Sequence, residues 1–215
     1  NAVTAASDQS SAVRNDGTLW AWGNNLVGGL GLNDTTYRSS PVQVGSSSWT
    51  VLGRGPGGWS AAISGYALYT WGYNSQGNLA QNTTVNRSSP VLANSGVNGS
   101  PTQLGTNSWS AVGAGASHTA AITSTGTLWT WGLNSSGQLG ANDTTNRSSP
   151  VQIGSASWSL VGGGTDFTVA QDTNKFVWTW GNNNNGQLGQ NDTVVRSSPV
   201  QVGSSSWSVI GANGN

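Results

Sequence analysis

The sequence predicts an all-β fold, a β-propeller in which four consecutive repeats form an arc of a larger ring. Three observations predict it. Trp-Gly pairs recur at Trp22, Trp71, Trp131 and Trp180, with spacings of 49, 60 and 49 residues. Arg-Ser-Ser-Pro tetrads end in the same register at Pro41, Pro90, Pro150 and Pro199, and Ser-Trp pairs recur at Trp49, Trp109, Trp158 and Trp207. Three landmarks in step define a repeat protein, and four short strands per unit of about 50 residues describe one propeller blade. No segment has helical periodicity of useful length. The landmarks divide the single region 1–215 into blades over 1–48, 49–108, 109–157 and 158–206, with the start of a further blade over 207–215.

The third unit shows the elements in order. "SWSAVGAG" (Ser108–Gly115) alternates apolar and small residues and predicts a first strand. "HTAAIT" (His118–Thr123) predicts a second, and a Ser-Thr-Gly turn leads into "TLWTW", the third. On that strand Trp129 and Trp131 share one face, while Leu128 and Thr130 take the other. "GLNSSGQLG" is a loop whose glycines supply positive φ. Pro150 then opens a short fourth strand, "VQI", where a missing N–H does least harm. Small residues suit an inner strand near the propeller axis, and indoles suit the wider space farther out. This assigns Trp20, Trp22, Trp71, Trp129, Trp131, Trp178, Trp180 and His118 to the structural core of the repeat. "NAVTAAS" at the start and "SWSVIGANGN" at the finish both align with the first strand, which a neatly closed four-blade ring would not need.

Composition bounds the chemistry. Only 34% of the chain is hydrophobic, but 12 residues are Trp, so indoles must supply much of the buried apolar area. Charged residues make up 7%, and the net charge is zero. No basic stripe collects phosphates, so a nucleic-acid partner is not expected. No apolar run approaches the roughly 20 residues that span a bilayer, so membrane insertion is not expected. Cys and Met are absent, which excludes disulfides and thiolate chemistry. The chain begins at Asn1 without an initiator Met or a signal-like segment, as a processed or trimmed product would.

The remaining polar candidates point to structure. His118 is the single histidine, which rules out a two-histidine metal site. No serine has a nucleophile-elbow context, so the sequence predicts no enzyme, no catalytic residue, no metal and no cofactor. Asp34, Asp143 and Asp192 lie in Asn-Asp-Thr loops, each four residues before an arginine. One carboxylate per unit is too few for a calcium loop, so an Asx-turn with an Asp–Arg pair is expected. The N-x-Ser/Thr sequons at Asn33, Asn82, Asn142 and Asn191 fall in the same loops, and their repetition in register favours turn chemistry over glycosylation.

The stretch "VGAGASHTAAI" (Val112–Ile122), followed by "GTLWTWGLNSSGQLG", resembles the repeat of the regulator of chromosome condensation (RCC1) family. Val112, Gly113, Ala114, Gly115, His118, Thr119, Ala120 and Ile122 fill every slot of the first half of that repeat. Trp131, Gly132, Asn134, Gly137, Gln138, Leu139 and Gly140 fill the second. The resemblance covers essentially the whole chain and implies an RCC1-like propeller, usually of seven blades, into which four units fit as an arc. The family's histidine stands only at His118; Gln9, Trp59 and Phe167 occupy the matching places. Asn78 and Ala80 replace the turn residues Gln138 and Gly140 in the second unit.

Three functions follow. The first is a non-enzymatic protein-binding or structural module on an extracellular or virion (phage-like) surface, which an Asn-, Ser- and Thr-rich exterior suits. Its partners would be proteins, including other copies or subunits of a larger assembly. The second is a secreted bacterial partner-binding or inhibitor propeller, as some relatives in this family are. The third, guanine-nucleotide exchange on a small GTPase, is implied by the family's namesake and ranks last, because the chain has no Glu and no basic tail. Candidate contact residues are those that break the repeat: Tyr37, Trp59 and Tyr73. To them is added an 11-residue insertion, since Pro90 to Trp109 spans 19 residues where Pro41 to Trp49 spans 8. It contributes Asn94, Ser95, Val97, Asn98 and Asn107.

Overall fold

Every described residue that is in regular structure is in a strand. The computed structural model describes residues 2–93 and 108–211. Their strands form four antiparallel sheets, each a four-stranded meander in chain order. The first blade comprises β1 (Ala2–Ala6), β2 (Gln9–Val13), β3 (Leu19–Gly23) and β4 (Arg38–Gln43). The second comprises β5 (Val51–Gly55), β6 (Trp59–Ser64), β7 (Ala67–Gly72) and β8 (Arg87–Leu92). The third comprises β9 (Trp109–Ala114), β10 (His118–Thr123), β11 (Leu128–Gly132) and β12 (Arg147–Gln152). The fourth comprises β13 (Trp158–Gly163), β14 (Phe167–Asp172), β15 (Val177–Gly181) and β16 (Arg196–Gln201). Among the described residues no helix is long and apolar enough to cross a membrane.

Two details differ from the sequence reading. Pro150 lies inside β12 rather than opening it, and Ile153 falls just beyond the strand as a buried anchor. The proline is tolerated because β12 pairs only with β11, so its outer edge has no ladder to interrupt. Residues 207–211 form no strand, although Ile210 and Gly211 do line the central channel. That channel, about 460 Å³, is otherwise walled by the first strands, where Ala5, Gly53, Ala114 and Gly163 keep the approach to the axis narrow.

The Trp-Gly pair has a local cause. In every blade the pairing of the third and fourth strands slips at one place, between Ala21/Gly23, Thr70/Gly72, Thr130/Gly132 and Thr179/Gly181. The glycine there carries φ between 99° and 107°. A Cβ on Gly132 would lie 2.4 Å from the Ser117 carbonyl oxygen, so both backbone angle and space demand glycine.

Strand alternation divides each blade between two seams. Ala121, Trp131 and the partly buried Trp129 face the second blade and join Trp59, Leu79 and Trp109. Ala120, Ile122 and Leu128 face the fourth blade and join Trp158 and Trp180. Leu19 and Leu30 meet Trp49, Leu52 and Trp71 at the first seam. Trp49, Trp109 and Trp158 of the Ser-Trp pairs pack near edge-on or tilted against the Trp-Gly indoles Trp71, Trp131 and Trp180 of their own blades, with centroids 5.9 to 6.3 Å apart, whereas Trp207 is exposed. Trp20, Trp22, Trp129 and Trp178 are half-buried, whereas Trp71, Trp131 and Trp180 are fully buried.

Candidate functional site

The seams share one polar latch. The carbonyl of Gly29 accepts Trp71 Nε1–H at 3.0 Å and the Ser60 hydroxyl at 3.1 Å. The carbonyl of Asn78 likewise accepts Trp131 Nε1–H and the Thr119 hydroxyl, each at 2.8 Å. That of Gln138 accepts Trp180 Nε1–H at 3.0 Å and the Thr168 hydroxyl at 2.8 Å. Each indole thus delivers its apolar ring to the core and its single donor to the preceding blade.

A second fastening lies in the outer loops. The backbone N–H of Asn33, Asn82 and Asn142 donates to Ser88, Ser148 and Ser197 of the next blade at 2.7, 3.0 and 2.8 Å. These asparagines adopt φ of 62°, 53° and 61°, a region that Asn tolerates better than most residues. Behind them Asp34–Arg38, Asp143–Arg147 and Asp192–Arg196 pair at 2.5, 2.6 and 2.7 Å. The Asp34, Asp143 and Asp192 carboxyls sit below their ordinary pKa, chiefly because the backbone N–H of Thr36, Thr145 and Val194 donates to them, with the arginines adding to the effect. The loops of the first, third and fourth blades are therefore Asx-turns locked by an ion pair.

One position differs at every seam. His118 is fully buried, with Nε2 2.9 Å from Thr168 Oγ1. The Thr168 hydroxyl already donates to Gln138, so the imidazole donates from Nε2 and leaves Nδ1 without a partner. Burial pushes its pKa down to about 4, opposed in part by a backbone hydrogen bond at Phe167. This is a neutral, structural histidine. Trp59 is also fully buried, donating to Gly115 and Ala116 at 3.1 and 3.0 Å, so its ring is withdrawn from any surface partner. Gln9 accepts from Arg54 through Oε1 and donates to the Asn24 carbonyl at 2.7 Å. Arg54 also reaches Ser11 Oγ at 3.2 Å and the Gly29 carbonyl at 3.5 Å, and burial brings its pKa down to about 10.

The first seam carries a cleft of about 200 Å³. Its walls are the β1–β2 turn (Ser7, Asp8), the exit from β3 (Asn24, Leu26, Val27) and the β5–β6 turn (Pro56 to Gly58), with Gln9 at its floor. The first blade's turn reads Leu26-Val27-Gly28-Gly29, against Ser75-Gln76-Gly77-Asn78, Ser135-Ser136-Gly137-Gln138 and Asn184-Asn185-Gly186-Gln187. Gly29 lets the neighbours close in: a Cβ there would stand 2.5 Å from the Gly58 carbonyl oxygen and 2.6 Å from Gln9 Nε2. Leu26 is 67% exposed and Tyr37 58%. At Tyr37's place Asn86 and Asn146 cap the backbone N–H of Asn74 and Asn134, at 2.9 and 2.8 Å. Tyr37 gives up that cap and puts a ring in solvent.

Of the three aromatic residues that break the repeat, Tyr37 is exposed, Trp59 is core, and Tyr73 is half-buried against the second seam with its hydroxyl 2.5 Å from Ser75 Oγ. The residues Asn94, Ser95, Val97, Asn98 and Asn107 lie outside the described residues. Leu26 and Val27 were missed by the sequence reading; the signal was an apolar pair where the other three turns are polar. Among the described residues no three His, Cys, Asp or Glu side chains are placed to hold a metal.

Comparison with known proteins gives concordant results. The pattern of the Regulator of chromosome condensation (RCC1) repeat matches residues 16–54, 67–122, 125–171 and 176–211. The Ultraviolet-B receptor UVR8 of Arabidopsis thaliana is 33% identical over 145 residues, 67% of this chain and 32% of the receptor. Human WBSCR16 superimposes with a TM-score of 0.85 at 20% identity, over 100% of this chain and 55% of that one. Prp20p of Saccharomyces cerevisiae, whose structure was described with its binding to Gsp1p and histones, gives 0.81 at 16% identity, over 99% and 53%. The chain thus spans about half of each structural relative and about a third of the receptor.

Proposed function

Since the chain belongs to the regulator of chromosome condensation repeat family, we propose that it is a non-enzymatic propeller module that binds a protein partner through the loop face of its first blade. The observation that carries this is the exposure of Leu26, where the other turns present Ser or Asn, together with that of Tyr37, where the second and third blades have Asn86 and Asn146 and the fourth has Val195. Exposed apolar side chains beside a cleft, held on loops locked by ion pairs, are what a recognition surface requires. The Prp20p relatives support the class of partner, having been described with Gsp1p, histones and Kap60. The sparsely charged, Asn- and Ser-rich composition supports an extracellular or virion setting, with further copies or subunits of an assembly among the partners.

A peptide-display selection on the purified chain tests this. Binders should be recovered that lose affinity for Leu26→Ser and for Tyr37→Asn; binders indifferent to both changes contradict it. Nucleotide release from a small GTPase should not accelerate in the chain's presence, and acceleration would revive the exchange reading.

A further inference from the structure

We propose that the cleft at the first seam is a receptor for a basic side chain, a lysine or arginine of the partner polypeptide. The proposal rests on the partner-binding reading and names the chemistry of its contact. Leu26, Val27 and Pro56 give the cleft apolar walls, and its volume of about 200 Å³ suits one long side chain. Asp8 lies at its mouth. Asp34, Asp143 and Asp192 each spend their carboxylate on an arginine, whereas Asp8, like Asp16, Asp166 and Asp172, has no ion pair among the described residues, and of these four Asp8 is the one that lines the cleft.

The remaining polar atoms are disposed for a donor. Gln9 is held at both ends, its amide donating to Asn24 and its oxygen accepting from Arg54. The Ser7 hydroxyl donates to the Pro56 carbonyl at 2.9 Å, which leaves its lone pairs free. Arg54, the nearest buried cation, belongs to the wall of the central channel, and its guanidinium is held by Gln9, Ser11 and Gly29. An aliphatic stem along Leu26 and Val27 with a cationic head at Asp8 satisfies both halves of the cleft. An anion would meet Asp8, and a purely apolar group would strip water from its carboxylate without return.

Blocked tripeptides Ala-Lys-Ala, Ala-Arg-Ala and Ala-norleucine-Ala, titrated into isotopically labelled chain, test this by amide chemical shifts. Lysine and arginine peptides should give saturable shifts at Asp8, Leu26, Val27, Gly57 and Gly58, and these should weaken with salt. Norleucine should bind at least about tenfold more weakly, the scale of one charge-assisted hydrogen bond. Asp8→Asn should lose about the same factor, since the Asp8 backbone carbonyl that accepts Asn24 N–H is retained. Norleucine binding equal to lysine, or an Asp8→Asn chain that binds undiminished, would overturn the proposal. A chain that passes the display selection yet shows no response at the cleft amides overturns this assignment and leaves the partner-binding reading standing.

Discussion

The seam between the third and fourth blades and the seam between the first and second use the same tryptophan latch, yet they end differently at the loop face. At the third seam His118 closes onto Thr168, the turn carries Gln138, and the surface residues Ser135 and Asn146 are polar. At the first seam Gln9 and a buried Arg54 take the place of that contact, Gly29 replaces the amide, and Leu26 and Val27 border a cleft, with Tyr37 exposed on the same blade. The latch sets how blades stack, and because it uses the backbone carbonyl it is made alike by Gly29, Asn78 and Gln138. Loop identity can therefore change from blade to blade without loss of the stack. That freedom concentrates individuality in the first blade.

The largest effects should fall on the shared latch. Trp131→Ala removes a fully buried indole and its donor to Asn78, and should cost roughly 3–5 kcal/mol in thermal or denaturant unfolding. Trp22→Ala, at the equivalent but half-buried position, should cost roughly 1–2 kcal/mol. Equal losses would break the claim that the indole's work is done across a seam.

The two variable contacts should then separate by pH. His118 has a folded pKa of about 4 against an ordinary 6.5, so the unfolded chain binds the extra proton between those values. The stabilisation from keeping it neutral is complete above about pH 6.5 and is lost as pH falls toward 4, up to roughly 3 kcal/mol. His118→Gln, copying the first blade, should flatten that part of the slope in denaturant titrations; an unchanged slope would mean that the ring is not held neutral. Arg54→Leu should cost less, roughly 1–3 kcal/mol, by leaving Gln9 Oε1 without its donor. Adding Gln9→Leu should recover part of the loss, and strict additivity of the two changes would contradict a coupled pair.

Much of the scaffold was legible in the sequence because it rests on local rules repeated four times. The strand alternation, the shared face of Trp129 and Trp131 and the Asp–Arg loops all follow from spacing within one unit. The site was less legible, because it is made by two units. Trp59 breaks the repeat and looked available, but the β6 start points it into the third blade, where Gly115 and Ala116 accept its N–H. Leu26 and Val27 read as turn residues in isolation. They become a wall only when Pro56 to Gly58 of the next blade stand opposite. Pro150 was misplaced within its strand because nothing in one unit tells an outer edge from a paired one.

The most direct measurement gives the first blade the third blade's surface. A partner selected on the native chain should be titrated against Leu26→Ser/Val27→Ser/Tyr37→Asn, with unfolding midpoints recorded alongside. Affinity should fall at least about tenfold, while the midpoint stays within the small range typical of surface changes. An affinity that survives the exchange would contradict the account.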